Sequence, residues 1–172
     1  SFENVVTISD RAFFFRSFDQ NGFKSRFFKV DLESLTIRGE DTHFSDAVNS
    51  MIIYDGQLNY DEIKNRLSYV CFYCNRVACF DTLFHLIHEW HTIDTTLIPT
   101  VHPVVRQKSI THGAPPRLVN GESCAYNGEI FVQSALKADN ETDVNFNRNL
   151  VIDFYDEGNG LYKGSFYIPR LN

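Results

Sequence analysis

Strand-forming residues dominate this chain. Valine, isoleucine, phenylalanine, tyrosine, threonine and tryptophan account for 60 of its 172 residues, against 20 for alanine, leucine and methionine. β-Branched and aromatic side chains suit a pleated, half-buried surface, so the balance favours sheets over helices. Turn chemistry agrees. Four Asn-Gly pairs occur, Asn21-Gly22, Asn120-Gly121, Asn127-Gly128 and Asn159-Gly160, and this dipeptide readily takes the positive φ of tight turns. The length fits one domain, residues 1–172, and no internal repeat or linker stands out. No run approaches the ~20 apolar residues of a helical membrane span, which argues against an integral membrane protein. No signal-peptide pattern opens the chain, so Ser1 reads as a mature start. A formal net charge of −6 argues against nucleic-acid partners and against anionic lipid.

Val5–Ile8 is a short β-branched run. Ala12–Phe18 and Phe23–Val30 flank Asp19-Gln20-Asn21-Gly22 and predict a hairpin. Leu35–Arg38 continues that sheet, and Ser50–Tyr54 reads as a strand ending at Asp55-Gly56. Two helices are expected next. Asn59 and Glu62 resemble a capping box, with Tyr60, Ile63 and Leu67 on one stripe. Asp81 is the N-cap of the second, where Phe80, Leu83, Phe84, Ile87 and Trp90 recur at helical spacing up to His91. Between them Ser68–Cys74 reads as a buried strand, and Thr92–Thr96 follows as a β-branched run. Thr100–Val105 and Ser109–Thr111 are extended, confined to edges or loops by Pro99, Pro103, Pro115 and Pro116. Arg117–Ala125 reads as loop, Glu129–Ser134 as strand and Ala135–Arg148 as a polar loop with one helical turn. Asn149–Tyr155 and Leu161–Ile168 form a last hairpin. The fold class is α+β: a twisted, mostly antiparallel sheet with one or two helices packed against it.

Several constellations invite a chemical reading. His85, His88 and His91 follow H-x2-H-x2-H, and Cys71 and Cys74 form C-x-x-C with Cys79 close by. A metal-dependent enzyme would use Cys71, Cys74, His85 and His88. Against it, residues three apart on a strand point to opposite faces, and the segment lacks the glycine of a zinc knuckle. Surface histidines and ordinary buried thiols are the simpler account, and no metal, cofactor or catalytic residue is expected. Cys124 lies in a loop, and the pairing of the four cysteines stays open. Asp55, Asp61 and Glu62, like Asp153, Asp156 and Glu157, are explained by turns and caps. Trp90, the single tryptophan, falls on an apolar stripe and reads as core. Asn140-Glu141-Thr142 is one glycosylation sequon. Tyr126-Asn127-Gly128-Glu129-Ile130 resembles the Asn-Gly-Glu-Ile stretch of class II glutamine amidotransferases, but the cysteine nucleophile that family needs at position 1 is serine here.

A second resemblance is broader. His112-Gly113-Ala114-Pro115-Pro116-Arg117 resembles the His-Gly-x-x-Pro-Arg segment in the head of the rotavirus outer-capsid spike protein. Phe166-Tyr167-Ile168-Pro169-Arg170 is similar to the strand that closes that head. The span between the stretches is longer here than in group A viruses, which implies a divergent group. The resemblance implies a viral attachment domain on the virion outer capsid surface, with no catalysis. Its implied partners are a host cell-surface glycan or receptor, the remainder of the spike and neutralising antibodies, without direct membrane insertion. It also implies an alternative fold, a galectin-like β-sandwich. No glycan-binding residue carries over. Asn120, Asn127, Gln133, Asn145 and Asn147, with Tyr126 and Phe146, could supply the planar polar and aromatic groups of a sugar site, but each is more simply explained as a turn residue.

Overall fold

The computed structural model describes residues 3–19, 23–41, 43–45, 47–107 and 109–170. Among the described residues fourteen strands form three four-stranded sheets and one separate hairpin. The first sheet contains β1 (Glu3–Ser9), β2 (Ala12–Asp19), β3 (Lys24–Asp31) and β4 (Thr36–Asp41). The second contains β5 (Gly56–Asp61), β6 (Arg66–Cys71), β7 (Arg76–Phe80) and β8 (Leu86–His91). The two-stranded hairpin follows, β9 (Pro103–Arg106) with β10 (Ser109–His112). The third sheet contains β11 (Asn120–Tyr126), β12 (Glu129–Ser134), β13 (Asn149–Asp156) and β14 (Tyr162–Pro169). In each four-stranded sheet chain order is spatial order, and neighbouring strands are antiparallel.

The expected α+β architecture is corrected by this arrangement, and so is the two-sheet galectin-like alternative. Among the described residues helix is confined to α1 (Ser50–Ile53) and α2 (Asp143–Arg148). The segment expected to be the first helix is the β5–β6 hairpin. Asp61 Oδ1 accepts from the N–H groups of Ile63 (2.9 Å) and Lys64 (3.0 Å), and Asn65 takes φ 53°. A carboxylate that captures those amides offers the backbone an alternative to a helical turn. The second expected helix is a turn followed by β8. Asp81 Oδ1 accepts from Leu83 and His85 N–H (2.8 and 2.9 Å), and Phe84 takes φ 62°. Its supposed apolar stripe is divided: Phe84 and Trp90 enter different cores, while Leu83 and Ile87 are exposed.

Other segments differ too. Ser50–Tyr54, expected as strand, supplies α1, and Arg117–Ala125, expected as loop, supplies most of β11. The β-branched run Thr92–Thr96 is irregular. The helical turn expected in 135–148 is α2, capped by Thr142 Oγ1. The turn residues Gln20, Asn21 and Gly22 lie outside the described residues, as does Ser1.

The second sheet is buried on both faces. Leu67, Tyr69, Cys71, Ala78 and Phe80 pack with Phe14 and Phe27 of the first sheet. Val70, Val77 and Cys79, on the opposite parity, pack with Ile130, Val132 and Tyr155 of the third. This explains why Ser68–Cys74 is a continuous apolar run rather than an alternating one. The first strands of the three sheets lie side by side. Asn4 Nδ2 donates to Gly56 O (2.9 Å), Gln57 Nε2 to Ser123 O (2.8 Å) and Asn59 Nδ2 to Ser123 Oγ (2.9 Å). Gly56 is required there, because a Cβ would lie 2.2 Å from Val70 O.

The repeat absent from the sequence reading is structural. Val30-Asp31 and Tyr155-Asp156 end the third strands of the first and third sheets, Phe80-Asp81 straddles the end of the third strand of the second, and each aspartate accepts backbone N–H groups in the following turn. The recurring element is a single apolar–aspartate pair, found again in Tyr60-Asp61 at the end of β5, and it is too short to register as sequence periodicity.

Candidate functional site

The groups singled out from the sequence are largely dispersed. Cys71 and Cys74 share the first core, Cys79 faces the second, and Cys124 is exposed. Burial pushes the Cys71 thiol well up, while a hydrogen bond from its neighbour lowers that of Cys74. Burial also pushes the Cys79 thiol up to about 12. His85 sits in an exposed turn with Nδ1 2.9 Å from Asp81 Oδ2, His88 reaches Glu157 O at 2.6 Å, and His91 is exposed. Among the described residues no three His, Cys, Asp or Glu side chains are placed to hold a metal ion.

The candidate sugar groups are scattered as well. Asn120 is buried and donates to Cys71 O (2.8 Å) and Cys74 O (2.9 Å). Asn127 occupies the β11–β12 turn at φ 51°, with Tyr126 exposed beside it. Gln133 lies on β12, while Asn145, Phe146 and Asn147 lie on α2.

A groove does open at one end of the second and third sheets. A cavity of about 340 Å³ is lined by Thr92–Thr95, Arg117, Asn120, Ser134 and Asp153, among others. It adjoins one of about 390 Å³ lined by Asn140, Glu141, Tyr162, Ser165 and Tyr167. Ile93, Ser134, Leu136, Ala138 and Asp153 belong to both.

The walls are held from below. Thr92 N–H donates to Asn75 O (2.8 Å), Asn75 Nδ2 donates to Asp94 O (2.5 Å), and Ile93 N–H donates to Tyr155 Oη (3.2 Å). Thr92 is 5% exposed, and its Oγ1 has no hydrogen-bond partner among the described residues. Asp153 is 6% exposed. Its Oδ1 accepts from Ser165 Oγ (2.5 Å), which is 2.6 Å from Tyr162 Oη. Burial raises the Asp153 carboxyl above the ordinary aspartate range, although the Ser165 hydroxyl draws it back. A hydrogen bond to Glu141 raises the Tyr167 phenol. Asp94, Asp139, Glu141 and Asp153 outnumber Arg117 and Lys137, and Lys137 is paired with Asp143 at 2.6 Å. The field in the groove is therefore negative.

Asp153 is not a turn residue, as the sequence reading had it. In Leu150–Tyr155 it occupies the same strand parity as Val151 and Tyr155, both buried. A carboxylate on the buried parity of an apolar strand was the available signal. Thr92, Ser165 and Tyr162 carried none.

No family model matches the chain, and no curated protein matches it. Solved structures do. A europium-containing methanol dehydrogenase matches at TM-score 0.52 and 11% identity, over 92% of this chain and 23% of that one. A DUF4221 family member from Bacteroides vulgatus matches at 0.49 and 13%, over 96% and 51%. The β-propeller domain of the Trilobed protease from Pyrococcus furiosus matches at 0.41 and 13%, over 96% and 57%. The chain thus spans between about a quarter and somewhat over half of these structures. At such identities the first likeness shows fold alone. Three sequential four-stranded antiparallel sheets, packed face to face with their first strands side by side, have the arrangement of propeller blades.

Proposed function

We propose that this chain is a recognition domain that binds a neutral carbohydrate in the groove between the second and third sheets, without catalysis. The observation that carries the reading is Asp153. Its nine-tenths-buried carboxylate is fixed by Ser165 in a groove that also contains Tyr162 and Tyr167. Sugar hydroxyls donate well to a fixed carboxylate, and tyrosine faces suit the apolar side of a pyranose. The excess of carboxylates disfavours an anionic sugar. A host-surface glycan bound by a viral spike is the form of this function that the resemblance implies, and Tyr167 belongs to the second of the stretches carrying that resemblance. The outer-capsid location and the antibody partners rest on the resemblance alone.

A glycan array followed by titration calorimetry tests the reading. Neutral glycans should bind, and Asp153→Asn and Tyr167→Ala should each weaken binding about tenfold or more while the far-UV spectrum is unchanged. Binding should also fade on acidification, beginning above the ordinary aspartate range. Absence of glycan binding, or binding indifferent to both substitutions, would remove it. Stoichiometric zinc in protein purified without added metal would revive the Cys71, Cys74, His85 and His88 alternative.

A further inference from the structure

The β13–β14 pair changes the sign of its surroundings along its length. Where Asp153 pairs with Ser165 it borders the acidic groove. Farther along, where Asn149 pairs with Pro169, it borders a separate depression of about 560 Å³. That depression is lined by Asn147, Arg148, Asn149, Pro169 and Arg170. The lining thus brings two guanidinium groups and two amides together, with no carboxylate, in a chain whose net charge is −6.

The two arginines are opposed across the strands. The Asn149–Pro169 pairing passes on to them, and Arg170 N–H donates to Arg148 O (2.9 Å). Like charges placed directly opposite each other repel. Other cations of this chain sit beside carboxylates, Arg76 by Glu89, Lys137 by Asp143, and Lys163 by Glu129 and Asp156. Neither Arg148 nor Arg170 has a carboxylate partner among the described residues. Arg148 does not cap the Asn145 carbonyl at the end of α2, which accepts the N–H of Asn149 and its Nδ2 (2.8 Å). Arg170 donates Nε to Asn149 O (3.1 Å), which anchors its guanidinium and leaves both Nη groups without a partner among the described residues.

We propose that this depression is an oxyanion site, in which Arg148 and Arg170 clasp one sulfate or phosphate group, free or as a monoester. The planar fork of a guanidinium matches two oxygens of such a group, and an anion between the two arginines relieves their repulsion. The amides of Asn147 and Asn149 add neutral donors at the same depression. The site shares no lining residue with the groove and is independent of the sugar reading.

Titration calorimetry of the full polypeptide with inorganic sulfate and with inorganic phosphate, at low ionic strength, tests this. One equivalent should bind with a Kd of about 1 mM or below, and sodium chloride should weaken it. Arg148→Ala and Arg170→Ala should each weaken it about tenfold or more. Arg170→Lys should weaken it less than Arg170→Ala, since the ammonium keeps the charge and loses the fork. Arg106→Ala, at an exposed position on β9, should have no effect. A second readout needs no variant: in wild-type protein sulfate should shift the side-chain amide NMR signals of Asn147 and Asn149. A sulfated monosaccharide separates the two sources. Affinity about tenfold or more above that of inorganic sulfate identifies a monoester, and a smaller difference identifies the free anion. Three outcomes would overturn the proposal: no saturation below about 10 mM of either anion, binding unchanged in both alanine variants, or anion-induced shifts that leave Asn147 and Asn149 untouched.

Discussion

His88 Nε2 lies 2.6 Å from the main-chain oxygen of Glu157, which ties β8 of the second sheet to the β13–β14 turn of the third. Cys79 Sγ approaches the same oxygen at 3.7 Å. Beside this junction the Glu157 carboxylate is fully buried, and neither of its oxygens has a hydrogen-bond partner among the described residues. Burial, with Asp61 and Asp156 as neighbouring negative charges against Arg66 and Lys64, raises its pKa to about 7.

That carboxyl makes stability fall as pH rises. Between the ordinary glutamate value and about 7 the folded state holds a proton that the unfolded state has released, so the folded state is favoured at low pH and loses that advantage through neutrality. The loss is on the order of 3 kcal/mol. Glu157→Gln has no such titration. Urea midpoints measured from pH 4.5 to 8 should show the wild type losing stability relative to the variant as pH rises. Parallel curves would show that Glu157 does not titrate in this window.

Arg16 should be among the most sensitive charged positions. It is 1% exposed, donates Nη1 to Asp55 Oδ1 (2.5 Å) and Nε to Ser25 Oγ (2.9 Å), and also donates to Met51 O. It ties the first sheet to the connection leading into the second. Arg16→Met leaves Asp55 without this partner and the Met51 carbonyl without its donor. Because Asp55 is partly exposed, the expected cost is about 2–4 kcal/mol, at the lower end of what breaking a buried pair does. Chemical denaturation measures it, and a loss under about 1 kcal/mol would mean water replaces the guanidinium.

Gly56 and Gly121 separate backbone from side-chain crowding. A Cβ at Gly56 would meet the Val70 carbonyl at 2.2 Å, whereas at Gly121 the near neighbour is the Gln133 side chain at 3.0 Å. A flexible amide can step aside, but a paired strand cannot. Gly56→Ala should cost more than about 3 kcal/mol or abolish soluble expression, and Gly121→Ala about 1 kcal/mol or less. Equal thermal shifts for the two would contradict the close approach of β5 and β6.

Strand content, the last hairpin and the double burial of Ser68–Cys74 were legible because they depend on residue type and parity within single segments. The two expected helices were misread for one physical reason. Asp61 and Asp81 each capture backbone amides of a turn, while Asn65 and Phe84 accept positive φ, and none of this changes the spacing of the apolar residues around them. Stripe spacing cannot reveal whether Phe84 and Trp90 enter one core or two. That depends on how three sheets stack, which is a long-range property. The groove was hidden for the same reason, since it joins Thr92, Asp153 and Tyr167 from separate segments. Asp153 alone was within reach, as a charge on the buried parity of an apolar strand.

The four cysteines give the last prediction. Cys71, Cys74 and Cys79 are fully buried, whereas Cys124 is exposed on β11. The thiolate is the reactive form, and burial drives Cys71 and Cys79 away from it. The hydrogen bond from Cys71 favours the Cys74 thiolate, but its burial denies reagent access. Ellman's reagent at pH 8 should therefore titrate one thiol quickly in native protein and all four in denaturant. Cys124→Ser should abolish the fast phase. A second fast thiol surviving in that variant would show that the turn between β6 and β7 opens to solvent, exposing Cys74.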